Sequence, residues 1–295
     1  MTNNFKSNKT NGYNQPQLSP EEWAEKKQAE KEAVYTLIDD TAIEVTSFPD
    51  KFKAFLDTQA RMDRYSAANA LLIYKQLPTA SQLKDFNDWA SEDIKINKGS
   101  KSISILEPVE YTKKDGTPGI SYNVKKVFDV SQTNGKRTPA PSVNRDPQKL
   151  VAMMLDSAPV AVETVDELPY SNMGAMYDNE KQAILVKRGI GDSVAICQCV
   201  AQELGHAQLA VNSEAYSRKD SGFDAVCVGY MLCKKYGVDT QNFNISTLDS
   251  FKEKEPKEIR GDLAKVRSAM TEIHGRISEE MYRKAQEHSR NRDAR

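Results

Sequence analysis

Apolar positions recur three or four apart over most of this chain and two apart in a few short stretches, the periods of helix and strand respectively. Ser19 followed by Pro20, Glu21 and Glu22 sets a capping hydroxyl, a proline at the first helical position and acids in the first turn. A helix is therefore predicted from there toward Val45. Phe52, Phe55, Leu56 and Met62, then Leu71, Leu72 and Tyr74, give two packed helices with a break near Tyr65-Ser66. A short helix through Phe86 and Trp89 comes next, with Tyr74 and Phe86 assigned to the core. Residues 102–106 alternate as a strand. Residues 113–119, KKDGTPG, turn the chain, and residues 122–128 return.

Residues 134–146 collect Pro, Asn, Ser and Gly without periodicity and are read as a linker between two domains. Beyond it the pattern predicts a helix over Pro147–Leu155, a strand near 160–163 and a hairpin of 175–177 with 183–186. Two helices follow, over 192–211 and 223–236, the second stopped by Gly237. From Glu255 to about Glu287 one stripe, Ile259, Leu263, Val266, Met270, Ile273, Ile277 and Met281, runs along an otherwise charged helix. It packs either on its own domain or on a coiled-coil partner. The first 19 residues are too polar to fold and read as a disordered tail. The fold class is α+β with two domains: residues 20–133, residues 147–250, and a terminal helix and tail over 251–295.

At 295 residues and a net charge of −1, the chain is not a generally basic nucleic-acid binder. Charge is nevertheless uneven, since residues 51–139 hold fifteen Lys/Arg against ten Asp/Glu. Cys197, Cys199, Cys227 and Cys233 lie in apolar helical patterns without Cys-x-x-Cys spacing or a secretory leader, which reads as buried free thiols in a cytoplasmic protein. No apolar run is long enough to span a membrane.

Two stretches carry chemistry. Val200-Ala201-Gln202-Glu203-Leu204-Gly205-His206 resembles the His-Glu-x-x-His helix of zincins, where two imidazoles one turn apart hold Zn²⁺ and the Glu is general base. Here Gln202 stands in place of the first His. A carboxamide is a poor zinc ligand, and without metal Glu203 has no bound water to activate. Glu203 and His206 can equally be an ordinary polar pair on a buried helix, and Cys199, one turn before Gln202, is either a substitute ligand or a plain core thiol. In the first half, Arg64, Tyr65, Ser66, Asn69, Trp89, Lys98, Lys101 and Lys125 mix aromatics with cations. Single-stranded nucleic acid is held by such mixtures, through stacking and phosphate contacts, although most Tyr and Trp residues are core or rim residues.

The stretch RYSAANALLIYKQLPTASQLKDFNDWASEDIKINKGSKSISILEPV, followed by VFDVSQTNGK, closely resembles the N-terminal single-stranded-DNA-binding domain of the ArdC-like antirestriction proteins. These include LtrC-type proteins of plasmids and conjugative transposons. Tyr65, Ser66, Asn69, Trp89, Lys98, Gly99, Pro108, Phe128 and Asp129 match its recurring features in order. The resemblance implies a second domain of the ImmA/IrrE metallopeptidase type. It continues through residues 174–186, 202–206 and 225–240. Where relatives carry Glu near the second helix this chain has Gly222 and Val226, leaving Asp224 as the remaining acid beside His206 for a metal. The expectation is a single-stranded-DNA-binding, antirestriction protein of a mobile genetic element, with a pseudoenzyme domain and no resident cofactor. The alternative is an active DNA-associated zinc peptidase using Glu203. Expected partners are single-stranded DNA and, through the terminal helix, a protein; no membrane is involved.

Overall fold

In the computed structural model the described residues are 18–137, 146–170 and 172–293, with side chains described as far as 287. The tail and most of the linker read from the sequence lie outside them. The architecture is α+β, with eight helices and six strands among the described residues.

Helix α1 (Pro20–Ser47) opens as its signals dictate: the Ser19 hydroxyl accepts from Glu22 N, and the Glu22 carboxylate accepts from Ser19 N in return. Helices α2 (Pro49–Arg61) and α3 (Ala67–Gln76) are separated at the expected break, and α3 is capped by Ser66. After β1 (Leu83–Lys84) and α4 (Phe86–Ser91), β2 (Ile103–Thr112) and β3 (Pro118–Asp129) form a ten-pair antiparallel hairpin. The first sheet has the order β1-β3-β2, leaving β2 at an edge.

That edge is closed from α3. Asn69 Nδ2 donates to Leu106 O at 2.8 Å while its Oδ1 accepts from Leu106 N at 2.7 Å. Two turns on, Gln76 treats Ser104 in the same way, at 2.9 and 2.8 Å. Two carboxamides seven residues apart therefore take the place of a neighbouring strand for the part of β2 that lies over the core. Past Glu107 the hairpin is exposed on its β2 side and projects from the body.

The second half contains α5 (Pro147–Asp156), β4 (Ala161–Val165), β5 (Ala175–Asp178), β6 (Ala183–Lys187), α6 (Ser193–Val211) and α7 (Gly222–Tyr236). Its sheet is mixed, order β4-β6-β5, with β4 parallel and β5 antiparallel to β6. Gly237 ends α7 at φ +72°, the left-handed cap its position suggests. Helix α8 (Pro256–Asp293) then crosses back over the molecule.

Most of the buried apolar residues of both halves fall in one cluster, with two smaller ones around Ile103 and Leu185. Val34, Ile38 and Val45 of α1, Phe52 and Leu56 of α2, and Leu72 of α3 join Val200 and Leu204 of α6, Val228 and Leu232 of α7, and α8. The α8 stripe from Ile259 to Ile277 lies inside this cluster, with Met281 packed against it. Among the described residues no helix is long and apolar enough to cross a membrane.

Asn69→Ala should destabilise the fold by about 2–4 kcal/mol, because it leaves the buried Leu106 N–H and C=O unpaired. Urea unfolding of this variant beside Ser66→Ala, which removes only a cap worth roughly 1 kcal/mol, checks the ranking.

Candidate functional site

The residues singled out in the first half separate into two groups. Asn69 is the β2 staple just described, fully engaged and buried, so it is not a base-reading group. Trp89 is likewise structural. Its indole is 1% exposed, its Nε1 donates to Phe128 O at 2.9 Å, and the Lys84 ammonium covers the ring at 4.8 Å. The helix instead turns Phe86 outward at 64% exposure, reversing the expected assignment of these two rings. On a helix of six residues, Phe86 and Trp89 sit three apart, and composition alone could not say which of them turns inward. Lys125 is held by Glu107 at 2.7 Å and Asp85 at 3.2 Å, and its pKa is raised chiefly by the Glu107 hydrogen bond. Lys98 and Lys101 are exposed in the segment that pairs with the 3₁₀ turn following β3.

Arg64, Tyr65 and Ser66 do converge, on a groove of about 710 Å³. It runs from this break between α2 and α3 along Leu106, Glu107 and Pro108 of β2 to Tyr122 of β3, with Tyr35 of α1 behind and α8 along the far side. Arg64 is exposed, and Tyr65 is half-buried, its phenol pKa raised by that burial. The one acid among the lining residues is Glu107, whose charge Lys125 neutralises. Tyr122, Tyr111 and Ile120 are exposed on the projecting hairpin, and Lys113 and Lys114 stand at its tip.

Asp129, at the end of β3, belongs to the scaffold of this half. Burial would raise its pKa, but the backbone N–H groups of Ser81, Ser131 and Gln82 donate to its carboxylate and hold it below the usual range.

The zincin-like helix tells a different story. Asp192 caps α6, whose apolar faces bury it so completely that Glu203 is 1% exposed. A buried carboxylate needs donors, and three reach it: Arg218 Nη1 and Tyr177 N to Oε2 at 2.8 and 2.7 Å, and Arg218 Nη2 to Oε1 at 2.7 Å. Arg218 lies in the loop between α6 and α7 and was not marked by any motif. What pointed to it was the requirement alone, since a buried Glu needs a cation and Arg218 and Lys219 are the first basic residues after it. The Tyr216 phenol, its pKa pushed up to about 12 by burial, stays protonated and shares a hydrogen bond with His206 Nδ1 at 2.9 Å. Burial first, and the Arg218 charge second, push His206 down to about 3.

These residues do not fit a metal ion. Gln202 opens into a small pocket with Cys199, Asn242 and Phe243, and Cys199 Sγ is tied to the backbone of Ala175. Asp224 is paired with Lys265 at 2.9 Å. A guanidinium already neutralises Glu203, and a second cation there would be repelled. Among the described residues no three His, Cys, Asp or Glu side chains are grouped to hold a metal.

No family model matches the sequence, and no curated protein matches it. Among solved structures, the chain is similar to the metal-free crystal structure of the antirestriction protein ArdC from plasmid R388, at 16% identity and a TM-score of 0.49, over 73% of this chain and 86% of that one. The Mn(II)-bound structure of the same protein gives 13% identity and a TM-score of 0.47, over 72% and 89%.

Arg218→Met should cost about 3–5 kcal/mol by stranding the Glu203 carboxylate, and adding Glu203→Gln should recover much of that loss in urea unfolding. Unfolded histidine titrates near 6.5 and native His206 near 3, so between these values the unfolded chain binds the extra proton. The contribution of His206 is complete above pH 6.5 and declines as pH falls toward 3. Unfolding midpoints measured from pH 7 to 4.5 should fall less steeply in His206→Asn than in the native chain.

Proposed function

We propose that this chain binds single-stranded DNA in the groove at the α2–α3 break, and that its second half is a zincin-shaped scaffold working without metal. The observation that carries the reading is the lining of the groove. Tyr35, Tyr65 and Tyr122 offer aromatic surface, Arg64 an exposed guanidinium, and the single lining acid is neutralised by Lys125. Bases of any sequence stack on aromatic faces, and guanidinium groups neutralise phosphates, so this lining suits a flexible single strand. The resemblance of residues 64–108 to the ArdC-like domain supports the same ligand. By that resemblance the biological setting is a mobile genetic element whose entering strand is shielded from restriction.

The peptidase alternative has no geometric support. A general base must be free to take a proton from water, whereas Glu203 accepts three hydrogen bonds, two of them from a cation.

Fluorescence anisotropy with a labelled oligo-dT tests the reading. Binding should weaken steeply between 50 and 200 mM salt, as counterion release requires. Tyr65→Ala should weaken it by about 1–2 kcal/mol, roughly 5- to 30-fold, and Trp89→Phe, which keeps an aromatic ring in the core at some cost in stability, should leave it unchanged. Binding that ignores salt, or equal affinity for a duplex of the same length, contradicts the proposal.

A further inference from the structure

We infer that α8, the last helix of the chain, forms the second wall of the single-strand site, so that the DNA-binding surface is shared between the two ends of the sequence. The inference rests on the reading of the groove given above and names where the strand is gripped.

Helix α8 presents Arg260, Gly261, Ala264 and Arg267 to the groove, facing Arg64 and Tyr65. Residues 260, 264 and 267 fall on one helical face because they are four and three apart. This face lies beside the buried stripe of Ile259, Leu263 and Val266, which fixes it against the core. The two cations are only partly satisfied within the protein. Arg260 Nη1 donates to Asp39 at 2.5 Å, and Arg267 Nη2 donates to Asp63 O at 2.8 Å. The Arg267 Nε–H is buried and has no partner among the described residues. Each guanidinium is held in the protein through one terminal nitrogen while its residue lines the groove, which leaves further N–H donors for an acceptor such as a phosphate oxygen.

Gly261 points the same way. Glycine weakens a helix interior, and packing does not demand it here: nothing lies within 4 Å of the position a Cβ would take. Exposed Ala264 is one turn further on, so the helix is narrow where it faces the tyrosines. The small residues keep the slot open, and the arginines at its two ends supply N–H donors, Arg260 sharing its charge with Asp39. A flexible strand with its phosphates toward Arg260 and Arg267 and its bases toward Tyr65 satisfies both features.

Oligo-dT binding by Gly261→Leu, Arg260→Ala and Tyr65→Ala in the full chain, each with a melting curve, tests this. Leucine at 261 fills open space, so that variant should melt no lower than the native protein yet bind at least tenfold more weakly. Arg260→Ala should lower affinity and make the dependence on salt shallower by about one phosphate contact. If Tyr65→Ala weakens binding while both α8 variants bind as the native protein does, the strand lies on the first half alone, and the inference fails while the proposed function stands. If the native protein does not bind oligo-dT, both fail together. Should Gly261→Leu melt lower, Arg260→Ala decides, and unchanged affinity with an unchanged salt slope overturns the inference.

Discussion

The burial of the α8 stripe against helices from both halves is the constraint on which the rest of the structure depends. Ile259, Leu263, Val266, Met270, Ile273 and Ile277 reach a core that includes α1, α2 and α3 on one side and α5, α6 and α7 on the other. Each large apolar side chain removed from water contributes about 1.5–3 kcal/mol. No polar contact between the halves approaches the sum of six such residues. The same packing sets the rotation of α8, and rotation decides which residues border the groove. The cations of that wall are therefore placed by the aliphatic residues beside them.

A second constraint acts inside α6. A helix this deeply buried cannot carry an ionised carboxylate unless something compensates its charge. In a zincin the neighbouring metal makes the region electropositive. Here the guanidinium of Arg218 supplies a positive charge from the chain itself, and Tyr177 N adds a fixed donor. Gln202 stands where the motif carries an imidazole, and one position on, Glu203 is engaged by Arg218 and Tyr177 inside the polar core.

Much of this was legible in the sequence, and the exceptions have physical reasons. The Ser19 capping box, the α2–α3 break, the β2–β3 hairpin, the Gly237 cap and the α8 stripe are local signals, and the structure realises each of them. The parallel pairing of β4 with β6 was not legible, because the strands are separated by a loop and a hairpin whose closure only tertiary packing decides. Asn69 and Trp89 looked like ligand-facing groups because they belong to a patterned stretch. Both are part of it for scaffold reasons, one closing a strand edge and the other filling the core. Arg218, Arg260 and Arg267 carried no motif at all, since a lone arginine in a loop or on a charged helix gains meaning only from what it faces. The zincin resemblance was visible, but whether Glu203 was free depended on a residue fifteen positions away.

Photo-crosslinking of 5-iodo-deoxyuridine-substituted oligo-dT to the full chain, with the crosslinked peptides identified by mass spectrometry, tests the central claim most directly. The account predicts crosslinks at Tyr65 and Tyr122 and on the peptide containing Arg260 to Arg267, all suppressed by high salt. Crosslinks confined to the Lys98–Lys101 turn or to the α6 region, with none in the groove, would contradict it.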